Sequence, residues 1–422
     1  MINVLVFPCG SEIGLEVFRS LRYIKDVHLF GASSVDDHGK FIYKSYISDL
    51  PYFNDDNFED KIIEIVKNLN IDVIYPCMDL VSAKIMSMAS KLNCAVIGSN
   101  EYTQSICNSK KATYKMLRKS VRVPFLYESP NTFPMFIKQD DGYGSRCGAL
   151  VSTEEEASIF ITKNKDKNLI LCEYLPGDEY TVDCFTNRYG ELLFSGPRKR
   201  GRISNGISVR AEMVSDEVYV RLKNWAVIIN KAVSFLGAWF FQVRMDNTGC
   251  LCLLEIASRL AGSSSYHRLK GINFAYLSIL DALGHKVRIC SNDYTLELDR
   301  ALDCRFILDL VYDEIYVDLD DCLIINGKVN VQLVSFLFNA LNSGKKIYLV
   351  TRHRFDLKAT LDNYRLTNIF CSVFWLRNGE PKSEFIRSDK AIFIDDSFSE
   401  RCEVKRARNI SVFSPDMVDG LI

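Results

Sequence analysis

Three stretches of this 422-residue chain follow one another in an order that leaves few ways to fold. FPMFIKQDDGYGSRCG, residues 133–148, is an apolar strand ending near Lys138 and running straight into a glycine-rich loop with Gly142, Gly144 and Ser145. ILCEYLPGDEYTVD, residues 170–183, sets Glu173, Tyr174, Leu175 and Glu179 within seven positions. FFQVRMDNTGCLCLLEIASR, residues 240–259, reads as a hairpin turning at Asp246–Gly249. That turn predicts Gln242 opposite Leu253 and Phe240 opposite Glu255, with Gln242, Arg244 and Glu255 on one face.

Each stretch has a chemistry. Glycines let backbone N–H groups approach phosphate oxygens, and a neighbouring lysine adds a point charge. Taken alone, the Gly-x-Gly loop is equally an ordinary hairpin turn. Acid and guanidinium groups converging on a buried sheet face are costly unless they bind something. A phosphate-bridging Mg²⁺ suits Glu255, because that ion takes few carboxylates and fills its shell with phosphate oxygens. The alternative is a structural Arg–Glu pair. Arg198, Lys199, Arg200 and Arg202 precede Ser204-Asn205-Gly206 and are candidates for holding an anionic substrate; a solvated basic loop is the other reading.

In order and chemistry, roughly residues 1–290 resemble the ATP-grasp superfamily of carboxylate–amine ligases and carbamoyl-phosphate-synthase-like enzymes. The resemblance implies a Rossmann-like pre-ATP-grasp domain at 1–105 and an ATP-grasp domain at 106–290. ATP would be held by Lys110 (or Lys111), Lys138, the loop glycines and Ser145. Glu173, Tyr174 and Leu175 would form the adenine linker, and Glu179 would take the ribose. Glu255 and Gln242 would hold Mg²⁺, while Arg244 and Arg259 face the charge developing on an acyl phosphate that an amine then attacks. One departure stands out: where the family often has Glu-x-Asn, this chain has Glu255-Ile256-Ala257, which puts a second metal ion in doubt.

The opening residues alternate strand and helix: strands at 2–7, 27–31, 71–76 and 94–98, helices at 11–23, 57–69 and 79–92. This predicts a parallel α/β sheet covered on both faces. Gly10 and Gly14 lack the third glycine and acidic partner of a dinucleotide site and are read as a tight strand-to-helix turn. From 101 to 290 antiparallel hairpins mix with helices. With 52 basic against 53 acidic residues, no global field favours nucleic acid or a membrane. Fourteen cysteines without metal-ligand spacing and the absence of a long apolar run point to the cytoplasm. Small carboxylate and amine substrates are the expected partners, and a homodimer stays open.

Beyond a polar stretch at Ser291–Asp303, three apolar runs end in polar groups: IYVDLDD, KIYLVTRH and AIFIDDS. Ligands of parallel sheets sit at the carboxyl ends of strands, so Asp318, Asp320, Thr351, Asp395 and Asp396 are expected to converge, with Lys382 beside them. This set resembles the haloacid-dehalogenase-like (HAD-like) phosphatases over about 305–422. The resemblance implies Asp318 as nucleophile, Asp320 as general acid/base, Thr351 and Lys382 as phosphoryl holders, and Mg²⁺ on Asp318, Asp395 and Asp396. Cys322 replaces the family's usual Thr or Val. The 31-residue gaps on either side of Thr351 leave no room for a large cap. The combined expectation is a bifunctional enzyme: an amide-forming ligase fused to a phosphatase acting on a phosphomonoester, the ligation product among them. A ligase with a non-catalytic HAD-like domain, or a phosphatase regulated by an ATP-binding module, are the alternatives.

Overall fold

A computed structural model describes residues 1–141, 147–204, 207–301, 306 and 308–421. The chain divides into two compact units, Met1–Asp303 and Cys304–Ile422. Among the described residues no helix is long and apolar enough to cross a membrane.

The first unit opens with β1 (Ile2–Phe7), β2 (Val27–Ala32), β3 (Ser45–Ile47), β4 (Val73–Pro76) and β5 (Ala95–Val96). They form one parallel sheet in the order β3-β2-β1-β4-β5. Val4 and Val6 face one apolar cluster and Leu5 and Phe7 another, so β1 is buried on both faces. Helix Glu12–Leu21 starts at Ser11, whose hydroxyl accepts from Gly14 N at 3.0 Å. A Cβ on Gly14 would lie 2.4 Å from the Cys9 carbonyl oxygen, so this glycine permits the tight turn out of β1.

Next come β6 (Leu126–Tyr127), β7 (Met135–Gln139), β8 (Gly148–Val151) and β9 (Leu169–Glu173), an antiparallel sheet ordered β6-β9-β7-β8. A larger antiparallel sheet follows: β10 (Glu179–Thr186), β11 (Leu192–Ser204), β12 (Ile207–Glu212), β13 (Gly237–Met245), β14 (Leu251–Ala257) and β15 (Leu298–Asp299). Its order is β14-β13-β10-β11-β12-β15. The stretch expected to be a plain polar connector thus contributes the edge strand β15, paired to β12. Helix Asp216–Ala232 covers one face through Leu222, Ala226 and Ile229, packed with Val182, Trp239, Phe241 and Val243. The opposite face carries the polar side chains described below.

The register of the β13–β14 hairpin corrects the sequence reading. Gln242 lies opposite Glu255, not Leu253, and Phe240 opposite Ala257, not Glu255. The strands are already one residue out of the expected register next to the turn, where Val243 pairs with Leu253 rather than Cys252, and a bulge between Gln242 and Val243 adds the second, with Leu254 the extra residue.

The second unit holds β16 (Glu314–Val317), the small hairpin β17 (Ile324–Ile325) and β18 (Lys328–Val329), then β19 (Lys346–Thr351), β20 (Ser372–Trp375), β21 (Ala391–Ile394) and β22 (Ser411–Phe413). The order β20-β19-β16-β21-β22 is parallel throughout. Only a hairpin and helix Val331–Asn342 separate β16 from β19, and only helix Leu357–Asn363 precedes β20, so neither crossover holds a cap domain.

Candidate functional sites

In the first unit, backbone registers build a polar row across four strands. Glu255 on β14 is opposite Gln242 on β13, Gln242 is opposite Thr181 on β10, and Thr181 is opposite Arg198 on β11. Two residue pairs further along, and so on the same face, Arg244 on β13 is opposite Glu179 on β10. A cavity opens against this face. It is lined by Gln242, Arg244, Leu254, Glu255 and Glu179, by Glu173, Tyr174 and Leu175, and by Lys110 and Lys138. Phe136, Cys172 and Pro124 add apolar wall. Gly142, Gly144 and Ser145 lie outside the described residues.

Each lysine is steered by local structure. Helix Lys110–Leu117 is capped by Ser109, whose hydroxyl accepts from Ala112 N at 3.1 Å and donates to Asp140 at 2.7 Å. The Asp140 carboxylate also accepts from Lys111 N at 2.7 Å, and its carbonyl accepts from Lys110 Nζ at 3.0 Å. Burial lowers the Lys110 pKa, with Glu255 pulling the other way. Lys111 instead points to exposed Asn168, at 3.4 Å, so of the two lysines it is Lys110 that reaches the cavity. Lys138 donates to the Tyr114 hydroxyl at 3.0 Å, and that hydroxyl donates to the Leu254 carbonyl at 2.7 Å. Tyr114 therefore ties helix, β7 and the bulge together. Asp140 and Tyr114 went unnoticed in the sequence; the only signal was their place beside the two lysines.

The carboxylates divide into committed and open groups. Glu173 accepts from Arg122 at 2.5 Å and from Phe125 N at 3.2 Å, so both its carboxylate oxygens have protein partners while the residue lines the cavity. Glu179 lies 3.1 Å from Arg200 and 3.9 Å from Arg244, and Arg244 also donates to the Gly177 carbonyl at 3.1 Å. Ala257 packs with Phe240 and Ala261, an apolar place rather than a ligand position. Arg259 pairs with Asp79 at 2.7 Å beside a second hollow that shares Lys110 and Glu255 with the main cavity.

The basic segment does not act as one patch. Arg198 is fully buried, donating to Asp183 at 2.7 and 3.4 Å, with His267 3.2 Å from the same carboxylate. An inward-facing position on β11 buries its guanidinium, with Nη1 left without a partner among the described residues, so it is not a member of a solvated basic loop. Burial opposes ionisation of Asp183, but Arg198 and His267 outweigh it and hold the pKa at about 2. Arg200 is nearly buried against Glu179, and burial lowers its pKa. Arg202 is exposed and pairs with Asp299 of β15 at 2.9 Å.

In the second unit, the carboxyl ends of β16, β19 and β21 bring Asp318, Thr351 and Asp395 to one edge of the sheet. Lys382 Nζ lies 2.9 Å from Asp318 and 2.6 Å from Asp395, all three buried. Ligand atoms of Asp318, Asp395 and Asp396 lie within 4.8 Å of one another. Burial pushes the Asp318 pKa up to about 6, with Lys382 opposing and Asp395 reinforcing. Asp395 is raised by burial too, against the pull of Lys382. Burial alone would discharge Lys382, but the two carboxylates more than compensate and raise its pKa. A divalent cation fits this donor set: two buried, crowded carboxylates share one ammonium and have oxygen capacity left. Asp320 contacts His353, a residue the sequence reading passed over.

Comparison with known proteins bears on the first unit. Residues 165–301 match the family model described as "ATP-grasp in the biosynthetic pathway with Ter operon". No curated protein matches the chain. A biotin carboxylase–β,γ-ATP complex from Campylobacter jejuni is similar over 68% of this chain and 72% of its own, with TM-score 0.58 at 16% identity. The N5-carboxyaminoimidazole synthetase of Staphylococcus aureus, complexed with ADP, gives 68% and 78%, TM-score 0.57, at 14% identity. The L-amino acid ligase of Bacillus licheniformis gives 67% and 74%, TM-score 0.55, at 16% identity. At such identities the likeness is one of fold, and the larger part of this chain has an ATP-grasp fold.

Proposed function

We propose that the first unit is an ATP-dependent ligase that joins a carboxylate to an amine through an acyl phosphate. The observation that carries this is the single cavity holding Lys110, Lys138, Gln242 and Glu255 against an apolar-walled linker. The lysines would neutralise ATP phosphates, Leu254, Phe136 and Cys172 would pack the adenine, and Glu179 would meet the ribose. Glu255 and Gln242, opposite each other, suit Mg²⁺, which would supply charge neutralisation on the phosphates. Gln242 offers a neutral oxygen where Ala257 offers none. A substrate carboxylate oxygen attacks the γ-phosphorus, ADP leaves, and an amine displaces phosphate from the acyl phosphate. Arg244 and Arg259 flank the site with positive charge for those steps.

The second unit supports a separate reading as a phosphatase, favoured by the Lys382-bridged pair Asp318 and Asp395 with Asp396 beside them. Asp318 would attack the phosphorus of a phosphomonoester, Asp320 would serve the leaving oxygen, and Thr351 and Lys382 would hold phosphoryl oxygens. Mg²⁺ on the three aspartates would supply charge neutralisation there. Without a cap the substrate can be bulky.

Two variants test both assignments in the full chain. Glu255→Gln is expected to abolish ADP release from mixed carboxylate and amine pools while phosphomonoester hydrolysis continues. Asp318→Asn is expected to do the reverse. ADP release at the wild-type rate in the first variant removes the ligase assignment, and hydrolysis surviving in the second removes the nucleophile.

A further inference from the structure

His353 is buried beside Asp320, whose side chain is half exposed. Its Nδ1 lies 2.9 Å from both Asp320 carboxylate oxygens, and its Nε2 lies 2.9 Å from Thr360 Oγ1. The Thr360 hydroxyl already donates to the Asp356 carbonyl, 2.9 Å away and one helical turn back. Both ring nitrogens of His353 therefore have a partner, so the ring is fixed and its Nδ1 is held against the Asp320 carboxyl. The main chain of His353 is pinned as well: its N–H donates to Thr351 Oγ1 at 3.2 Å, and its carbonyl accepts from Trp375 Nε1 at 2.7 Å. Among the described residues Asp320 has no other side-chain partner.

We propose that His353 is a positioning residue that holds the Asp320 carboxyl for the leaving oxygen of the phosphomonoester. The inference rests on the phosphatase reading. When an Asp318 oxygen bonds to phosphorus, the P–O bond to the leaving group breaks, and its electron pair takes a proton from the Asp320 carboxyl. In the second half, water attacks the aspartyl phosphate and gives a proton to Asp320. The Asp318–phosphorus bond breaks, and the pair is restored. His353 touches neither substrate nor phosphorus.

The prediction is a dependence on leaving group. An alkyl alkoxide cannot depart without a proton, whereas p-nitrophenolate can. In the full chain His353→Ala is expected to lower kcat for an alkyl phosphomonoester by about 10²-fold, the lower end of general-acid effects, with KM unchanged. The loss on p-nitrophenyl phosphate should be at least tenfold smaller. His353→Ala added to Asp320→Asn should cost nothing further on the alkyl ester. His353→Gln, which keeps much of the volume, is measured in parallel and should show the same ester-dependent loss even where the alanine variant fails to fold. Equal losses on both esters in the folded variant, or no loss on either, overturn the positioning role while the phosphatase stands. A wild-type chain inactive on every phosphomonoester overturns the phosphatase reading and this inference with it.

Discussion

At the scale of single residues, one fact separates structural from functional charge in this chain: which charged groups are buried against an opposite charge. Arg198 and Asp183 form a buried ion pair with His267 alongside, made through the arginine's Nε and Nη2 while its buried Nη1 has no partner among the described residues. Breaking one side leaves an uncompensated buried charge, so Arg198→Met is expected to destabilise the first unit by about 3–5 kcal/mol. Adding Asp183→Leu should recover most of it, which chemical unfolding of the two variants would measure. The pair also has an acid signature. Because the Asp183 pKa is held at about 2, below the ordinary 3.8, its stabilisation is present above about pH 4 and is lost as pH falls through about 2. In Arg198→Met that acid-side loss should shrink; an unchanged slope would mean that other carboxylates control it. Residue chemistry alone left Arg198 between an anionic-substrate contact and a solvated basic loop, because a run of basic residues on one strand does not reveal which of them face inward.

At the scale of elements, the ATP-site candidates depend on how three elements are tied rather than on the residues alone. Helix Lys110–Leu117, β7 and the β13–β14 hairpin meet at the Tyr114 hydroxyl. Tyr114→Phe removes the acceptor for Lys138 and the donor to the Leu254 carbonyl. Leaving that carbonyl unpaired is expected to cost about 1–3 kcal/mol of stability. ATP affinity should weaken about tenfold, close to 1.4 kcal/mol, as Lys138 loses its tether. Titration of a non-hydrolysable ATP analogue would check this, and an unchanged affinity would show that Lys138 does not need Tyr114. The hairpin itself was legible as a hairpin. Its bulge was not, because an extra residue leaves no mark in an alternating apolar pattern; only the paired backbones show that Gln242, not Phe240, meets Glu255.

At the scale of the whole molecule, each unit carries its own core. The first holds the clusters around Val6, Phe58 and Trp239, and the second those around Leu349 and Phe393. Units with separate cores unfold separately unless coupled. Calorimetry is therefore expected to resolve two transitions. Phe393 is fully buried on the central strands of the second unit. Phe393→Ala, at a cost of about 3–5 kcal/mol, should lower one transition and leave the other in place. Movement of both together would show that the units unfold as one.

The sequence by itself determined the kinds of element and their order. Alternating strand and helix implied a parallel sheet at each end of the chain, since buried parallel strands must be apolar throughout. It also pointed to which residues gather at the strand ends of the second unit, because a parallel sheet exposes its carboxyl edge whatever the loops do. Only the tertiary structure decided which groups pair with one another. Arg198 closes on Asp183, Glu173 closes on Arg122, Asp140 sets Lys110, and His353 takes Asp320. Such pairings join residues 15 to 51 positions apart. Their energies depend on burial and on distances of 2.5–3.0 Å, quantities that sequence periodicity does not contain.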